Sequence, residues 1–208
     1  MLDAMRDDHV ILEIDGRRRF PYETVYFDTR DLRSFREHAA GATPRFKART
    51  RHYVAAGECV FEVKIKTTEG KTDKHQREHE AAADELDAAA LEHVSSTLQD
   101  AGIKPPSGLE PVLRTRFERV TLAHRRGSAR VTIDFDVTLE RLRGASVTIR
   151  DGLVLVESKS EDGDAPADRL LRRLGAREVS LSKYRTGIDA LVCRDATGQL
   201  DGVRELFA

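Results

Sequence analysis

The chain has 208 residues, 39% of them hydrophobic, enough for one generous folded domain or two small ones with a real core. Lysine and arginine total 35 against 36 acidic residues, which excludes a generally basic nucleic-acid coat and leaves local charge patterning as the feature to read. Only 6% of residues are aromatic, too few for the stacking platforms of a nucleic-acid binder, so no nucleic-acid partner is expected.

In chain order, residues 10–14 and 22–28 read as strands, followed by a helix over 31–40 with Leu32, Phe35 and Ala39 on one face. Strands follow at 45–54 and 59–67, with a further extended run through 71–79. A helix over 83–103 starts on Asp84 and runs out near Gly102. The loop GIKPPSG at 102–108 then separates two halves that look alike in kind. Strands at 111–122, 129–139, 145–150 and 153–160 make up the second half, the last two joined by Asp151-Gly152, the dipeptide of a tight hairpin turn. A helix over 165–176 has Pro166 in its first turn and Gly175 as its stop. The predicted fold is α+β, a closed or nearly closed antiparallel β-barrel with a few covering helices, in one domain spanning residues 1–208.

No apolar run approaches the length of a membrane span; the most continuous is LVLV at 153–156. No membrane segment and a soluble, cytoplasmic protein are therefore expected. Cys59 and Cys193 lack a CxxC partner and read as ordinary buried thiols in a reducing compartment.

The chemical signal is charge in strict alternation. Arg45, Lys47, Arg49 and Arg51 share one face of a strand, Glu62, Lys64 and Lys66 one face of the next, Arg130, Thr132, Asp134 and Asp136 one face of another, and Glu157 with Lys159 a fourth. The opposite faces are apolar: Phe61, Val63 and Ile65, or Val131, Ile133 and Phe135. Same-face neighbours on a strand lie about 7 Å apart, so each like-charged pair repels by about 0.6 kcal/mol in water and about 2.4 kcal/mol at an effective dielectric of 20. For a single strand a solvated sheet face explains this cost. Four such strands together imply that the apolar faces pack outward onto helices and the charges point inward. An interior lined by many cations and a few carboxylates suits a polyanion with a bound divalent metal, and phosphate chemistry is the natural reading.

Other motifs lead nowhere. Gly70-Lys71-Thr72 resembles the end of a phosphate-binding loop, but Ile65 stands where that motif needs glycine, so it reads as a turn. His75 and His79 have zinc-like spacing only if helical. No G-x-S-x-G or G-x-G-x-x-G pattern occurs.

YETVYFD, RFKARTRHY, CVFEVKIK, TDKHQ, FER, RVTIDFDV, VESK and SLSKY, in this order and spacing, resemble the polyphosphate polymerase (VTC) domain of the vacuolar transporter chaperone proteins. That domain belongs to the triphosphate tunnel metalloenzyme, or CYTH-like, superfamily, and the resemblance runs from about Val10 to about Ala190. It implies an antiparallel tunnel that binds ATP, triphosphate or polyphosphate with Mg or Mn and adds the terminal phosphate of ATP to a polyphosphate chain. Carried over by motif, Arg49, Arg51, Lys64, Lys74, Arg119, Arg130 and Lys183 match phosphate-binding positions, and Glu157 matches the metal-binding glutamate. Lys47, Lys66 and Lys159 are secondary phosphate candidates, and Asp134 and Glu62 further carboxylate candidates for the metal. No protein nucleophile is needed, because phosphoryl transfer is mostly positioning and charge neutralisation.

The chain departs from the family pattern in three places. The resemblance leads one to expect that the family's strand and helix ahead of residues 10–16 are lacking, Gln76 stands where an arginine is usual with Arg77 one residue late, and Phe117 stands where tyrosine is common. Two alternatives to a polymerase follow: a hydrolase of triphosphate or nucleoside triphosphates, and a polyphosphate binder without catalysis.

Overall fold

The computed structural model describes residues 1–161, 163–192 and 205–207. Cys193 lies outside them. In chain order the elements are α1 (Leu2–Met5), β1 (His9–Ile11), β2 (Phe20–Asp28), α2 (Arg33–Ala39), β3 (Arg45–Tyr53), β4 (Glu58–Lys66), β5 (Thr72–Glu78) and α3 (Ala88–Asp100). These are followed by β6 (Glu110–His124), β7 (Arg130–Arg141), β8 (Ser146–Thr148), β9 (Leu155–Lys159), α4 (Pro166–Arg173) and α5 (Lys183–Leu191).

All strand pairings in the sheet are antiparallel, in the order β5-β4-β3-β2-β6-β7-β8, with β1 on β6 and β9 on β7. Laid flat, six strands from β4 to β9 would hold their side chains about 24 Å apart. Lys64 of β4 nevertheless feels the charge of Lys159 on β9, so the sheet is strongly curled. It does not close into a barrel: among the described residues no register joins β5 to β8 or β9. The expected closed or nearly closed barrel is corrected to a curled open sheet. The reason lies in β5, whose sequence TDKHQRE offers no apolar side chain to either face and nothing to bury against a neighbour.

The Asp151-Gly152 turn forms, with Leu153 N donating to the Arg150 carbonyl at 3.1 Å, but it does not make a hairpin. β8 and β9 both run antiparallel to β7 along the same edge, at Thr138–Glu140 and at Arg130–Asp134. The turn therefore interrupts one edge strand. A second irregularity sits in β7, where the register with β6 shifts between Arg116 and Glu118 and Asp136 takes φ +52°. The bulge turns Asp136 out of the row begun by Arg130, Thr132 and Asp134, onto Arg19 and the outer face.

Alternation decides which helix each face meets. Phe46 and Ala48 of β3, with Phe61, Val63 and Ile65 of β4, pack outward against Ala90, Val94 and Leu98 of α3. Val120, Leu122, Val131 and Ile133 pack outward against Ala167 and Leu170 of α4. The helix expected from Asp84 begins instead at Ala88, because Asp87 caps it, accepting from Ala90 N at 2.6 Å, while Asp84 pairs with Arg114. The inner face is polar over β3 and β4; over β6 and β7 it is apolar at Leu113, Phe117, Val137 and Leu139, which Tyr184, Ile188 and Leu191 of α5 cover, and polar at Arg119 and Asp134. Inward charge therefore lies on both sides of the curl, and α5 fills the space over the apolar stretch beside it.

Candidate functional site

Lys47, Arg49 and Arg51 point inward because their alternate neighbours are committed to the core under α3. Arg49 is set between two partners: Nε lies 2.5 Å from Glu62 Oε2, and Nη1 donates to the Tyr26 hydroxyl at 3.3 Å. Glu62, its cross-strand neighbour, is buried and also accepts from Gln76 Nε2 at 2.5 Å, with Lys74 Nζ at 3.8 Å. Burial alone would raise the Glu62 carboxyl, but Arg49, Arg51 and Lys64 hold it below the usual range. Gln76 therefore takes the inward place beside Glu62, while Arg77, one residue later, reaches Asp87 at 3.9 Å.

Across the curl, Arg119 forks onto Asp134 with Nε and Nη2 at 2.6 and 2.8 Å, and Lys183 Nζ reaches the same carboxylate at 2.5 Å. Burial works against the ionised Asp134, but the Arg119 bonds and the Lys183 charge outweigh it and lower its pKa. Glu157 and Lys159 form a half-exposed pair at 3.3 Å, and Glu157 also feels Arg119 and Lys183. The two halves meet at Tyr22, whose ring carries the Arg51 guanidinium 5.8 Å and the Arg119 guanidinium 5.4 Å from its centroid.

Arg51 and Lys64 differ from these paired groups. Neither has a carboxylate at ion-pair distance among the described residues, and Arg51 Nε is buried with no hydrogen-bond partner. Burial and then Arg49 and Arg51 push the Lys64 ammonium down to about 7. Burial and then Arg45, Arg49 and Arg185 push Lys47 down to about 8, although its Nζ bonds Ser182 Oγ at 3.1 Å. Cations crowded so that burial and mutual repulsion work against their charged forms make a setting suited to an anion.

The candidates therefore sort by geometry. Arg49, Arg51, Lys64, Lys74, Arg119 and Lys183 line one inner surface, with Lys47 and Lys159 at its margins. Arg130 is exposed at the end of β7, opposite Lys159. Lys66 folds back onto the Gly70 carbonyl of the turn that residues 67–70 form between β4 and β5, and the Gly70-Lys71-Thr72 tripeptide only leads into β5. Tyr22, Tyr26, Asp28 and Tyr184 were not singled out from sequence. For the first two, the signal was there: aromatic residues four apart in YETVYFD, on the same face of a strand as its neighbour's cations.

The carboxylates suit a divalent cation unevenly. Among the described residues no group of three acidic, histidine or cysteine side chains is gathered. Glu62 and Asp134 are committed to arginines, whereas Glu157 is open and held by one lysine. That donor set fits Mg or Mn taken through one carboxylate, with phosphate oxygens and water completing the shell, and does not fit an all-protein cage.

A family model described as the VTC domain matches residues 2–192. The chain belongs to the VTC domain family. None of the curated proteins matches this VTC domain. Among solved structures it is similar to a putative adenylyl cyclase, HpAC1, from Hippeastrum, reported with a dominant triphosphatase activity, at 17% identity and TM-score 0.51, covering 90% of this chain and 87% of that one. It is also similar to the PH1819 protein from Pyrococcus horikoshii OT3, at 13% identity and TM-score 0.49, over 91% and 90% of the two chains. The first likeness shows that the VTC domain shares its overall fold with the Hippeastrum protein. No helix among the described residues is long and apolar enough to cross a membrane.

Proposed function

We propose that this VTC domain binds ATP and polyphosphate along its basic inner surface and transfers the terminal phosphoryl group of ATP to the end of a polyphosphate chain. The observation that carries the reading is the pair of half-buried cations Arg51 and Lys64, neither with a carboxylate at ion-pair distance among the described residues, facing Arg119 and Lys183 across the curl. Family membership and the fold shared with the Hippeastrum triphosphatase support a phosphate-chain substrate.

In this mechanism the terminal oxygen of the polyphosphate attacks the γ-phosphorus, the bond from that phosphorus to the β–γ bridging oxygen breaks, and ADP leaves. The N–H groups that Glu62 and Asp134 leave free on Arg49 and Arg119 bind equatorial oxygens, and the pre-formed Arg49–Glu62 and Arg119–Asp134 pairs hold both guanidinium planes in place. Arg51 and Lys64 supply the net positive charge that those paired units lack. Mg or Mn, held by Glu157, would neutralise further charge on the phosphate oxygens.

The test is incubation with ATP and Mn or Mg, with products separated by length on a gel. Long polymer supports the polymerase. Orthophosphate alone makes the protein a hydrolase, and no product with binding intact makes it a binder.

A further inference from the structure

Asp28, the last residue of β2, is completely buried and serves two elements at once. Its Oδ1 accepts from Thr29 N at 2.8 Å and Ser34 N at 2.9 Å, and its Oδ2 from Phe35 N at 3.0 Å. Those last two amides open α2, whose N-cap residue Leu32 sits in the left-handed region with no side-chain cap. Asp28 therefore does the capping from the preceding strand, with Thr29 Oγ1 taking Arg33 N at 2.9 Å. Those bonds already meet the needs of the helix end. The Tyr184 hydroxyl nevertheless donates to the same Oδ2 from α5, and Tyr184 is 1% exposed.

Tyr184 borders three phosphate-site candidates. It follows Lys183 in the chain. Its ring stacks on Tyr26, centroids 5.0 Å apart, and Tyr26 accepts from Arg49. Lys47 Nζ lies 6.0 Å from the ring centroid. Lys183 reaches Asp134 from the first turn of α5, so the direction in which that turn is seated determines where its ammonium falls.

We infer that Asp28 and Tyr184 are positioning residues for the phosphate site: their buried hydrogen bond ties the start of α5 to β2 and α2, and so sets Lys183 where it meets the anion. This rests on the reading of the inner surface as a phosphate site. Neither residue touches phosphate in this arrangement. Asp28 acts through Tyr184, and Tyr184 acts through Lys183.

The test is calorimetric titration of the full chain with sodium tripolyphosphate. Tyr184→Phe keeps the ring stack and removes the hydroxyl; it should weaken binding about fivefold, the size of one net hydrogen bond. Asp28→Asn should weaken binding in the same direction, and if it fails to fold, Tyr184→Phe alone decides. The readout that a purely structural role would not move is coupling. In a Lys183→Ala background Tyr184→Phe should cost nothing further, whereas in an Arg51→Ala background its full effect should remain. Wild-type affinity in Tyr184→Phe, or an effect that persists in full without Lys183, overturns the inference while leaving the phosphate site standing. Failure of the unaltered chain to bind tripolyphosphate overturns both.

Discussion

Arg49 and Glu62 face each other as a registered pair across β3 and β4, Nε to Oε2 at 2.5 Å, with side chains only 8% and 1% exposed. Breaking such a pair from one side leaves an uncompensated buried charge, which costs more than the pair contributes. Glu62→Gln should therefore lower stability by about 3 kcal/mol in thermal unfolding without ligand. Added tripolyphosphate should restore more of that loss than it adds to the unaltered protein, because the anion then supplies the missing counter-charge to Arg49. Equal shifts in both proteins would show that Arg49 does not face the anion.

Proton linkage follows from Lys64. Folded, it releases its proton near pH 7; unfolded, near its ordinary 10.5. Between those values the unfolded chain holds the extra proton, so the stability of the ligand-free protein rises with pH across that window. Lys47, pushed down to about 8, adds the same trend from there upward. Binding an anion draws the protons back, so tripolyphosphate affinity should fall as pH rises above 7. Titration at pH 8 in two buffers of different ionisation enthalpy should show net proton uptake, and Lys64→Met should remove most of it.

Glu157 separates metal from phosphate. Glu157→Gln should abolish the increase in tripolyphosphate affinity that Mn brings, and should leave metal-free binding unchanged or slightly stronger because a negative charge has gone. Parallel titrations with and without Mn check this. Loss of metal-free binding would instead assign Glu157 to holding Lys159 and the sheet margin.

At Gly187, α5 lies close against the sheet. A Cβ there would come within 2.6 Å of the buried Leu113 side chain. Gly187→Ala should destabilise by about 1–3 kcal/mol through overpacking, read as a lower unfolding temperature. Pairing it with Leu113→Ala should recover part of that loss, since the space is then available.

Strand positions and facing were legible along β3 and β4, because Lys47, Arg49 and Arg51 alternate with Phe46 and Ala48, and Lys64 with Phe61, Val63 and Ile65, which have only a hydrophobic use. The same rule misplaced Asp136, since alternation holds only while the ladder is regular and a bulge at that residue carries no marker in RVTIDFDV. α5 was legible and went unread: Tyr184, Ile188 and Leu191 fall at helical spacing behind Ser182, which caps the helix by accepting from Arg185 N at 3.4 Å. The acidic partners were half read. Glu62 and Asp134 stood out as inward carboxylates, but whether such a group binds metal or arginine depends on which cation the register sets opposite it, and that pairing is long-range.

The unpaired margins of the curled sheet bear on how a long linear molecule reaches the cations within. A ring of strands admits a thread only by its tip, so every unit must pass the opening in turn. On the proposed function, a sheet whose two edges do not pair among the described residues makes no such demand: a stretch from the middle of a polymer would be laid in broadside, and a closed ring of phosphates would have the same access as an open chain.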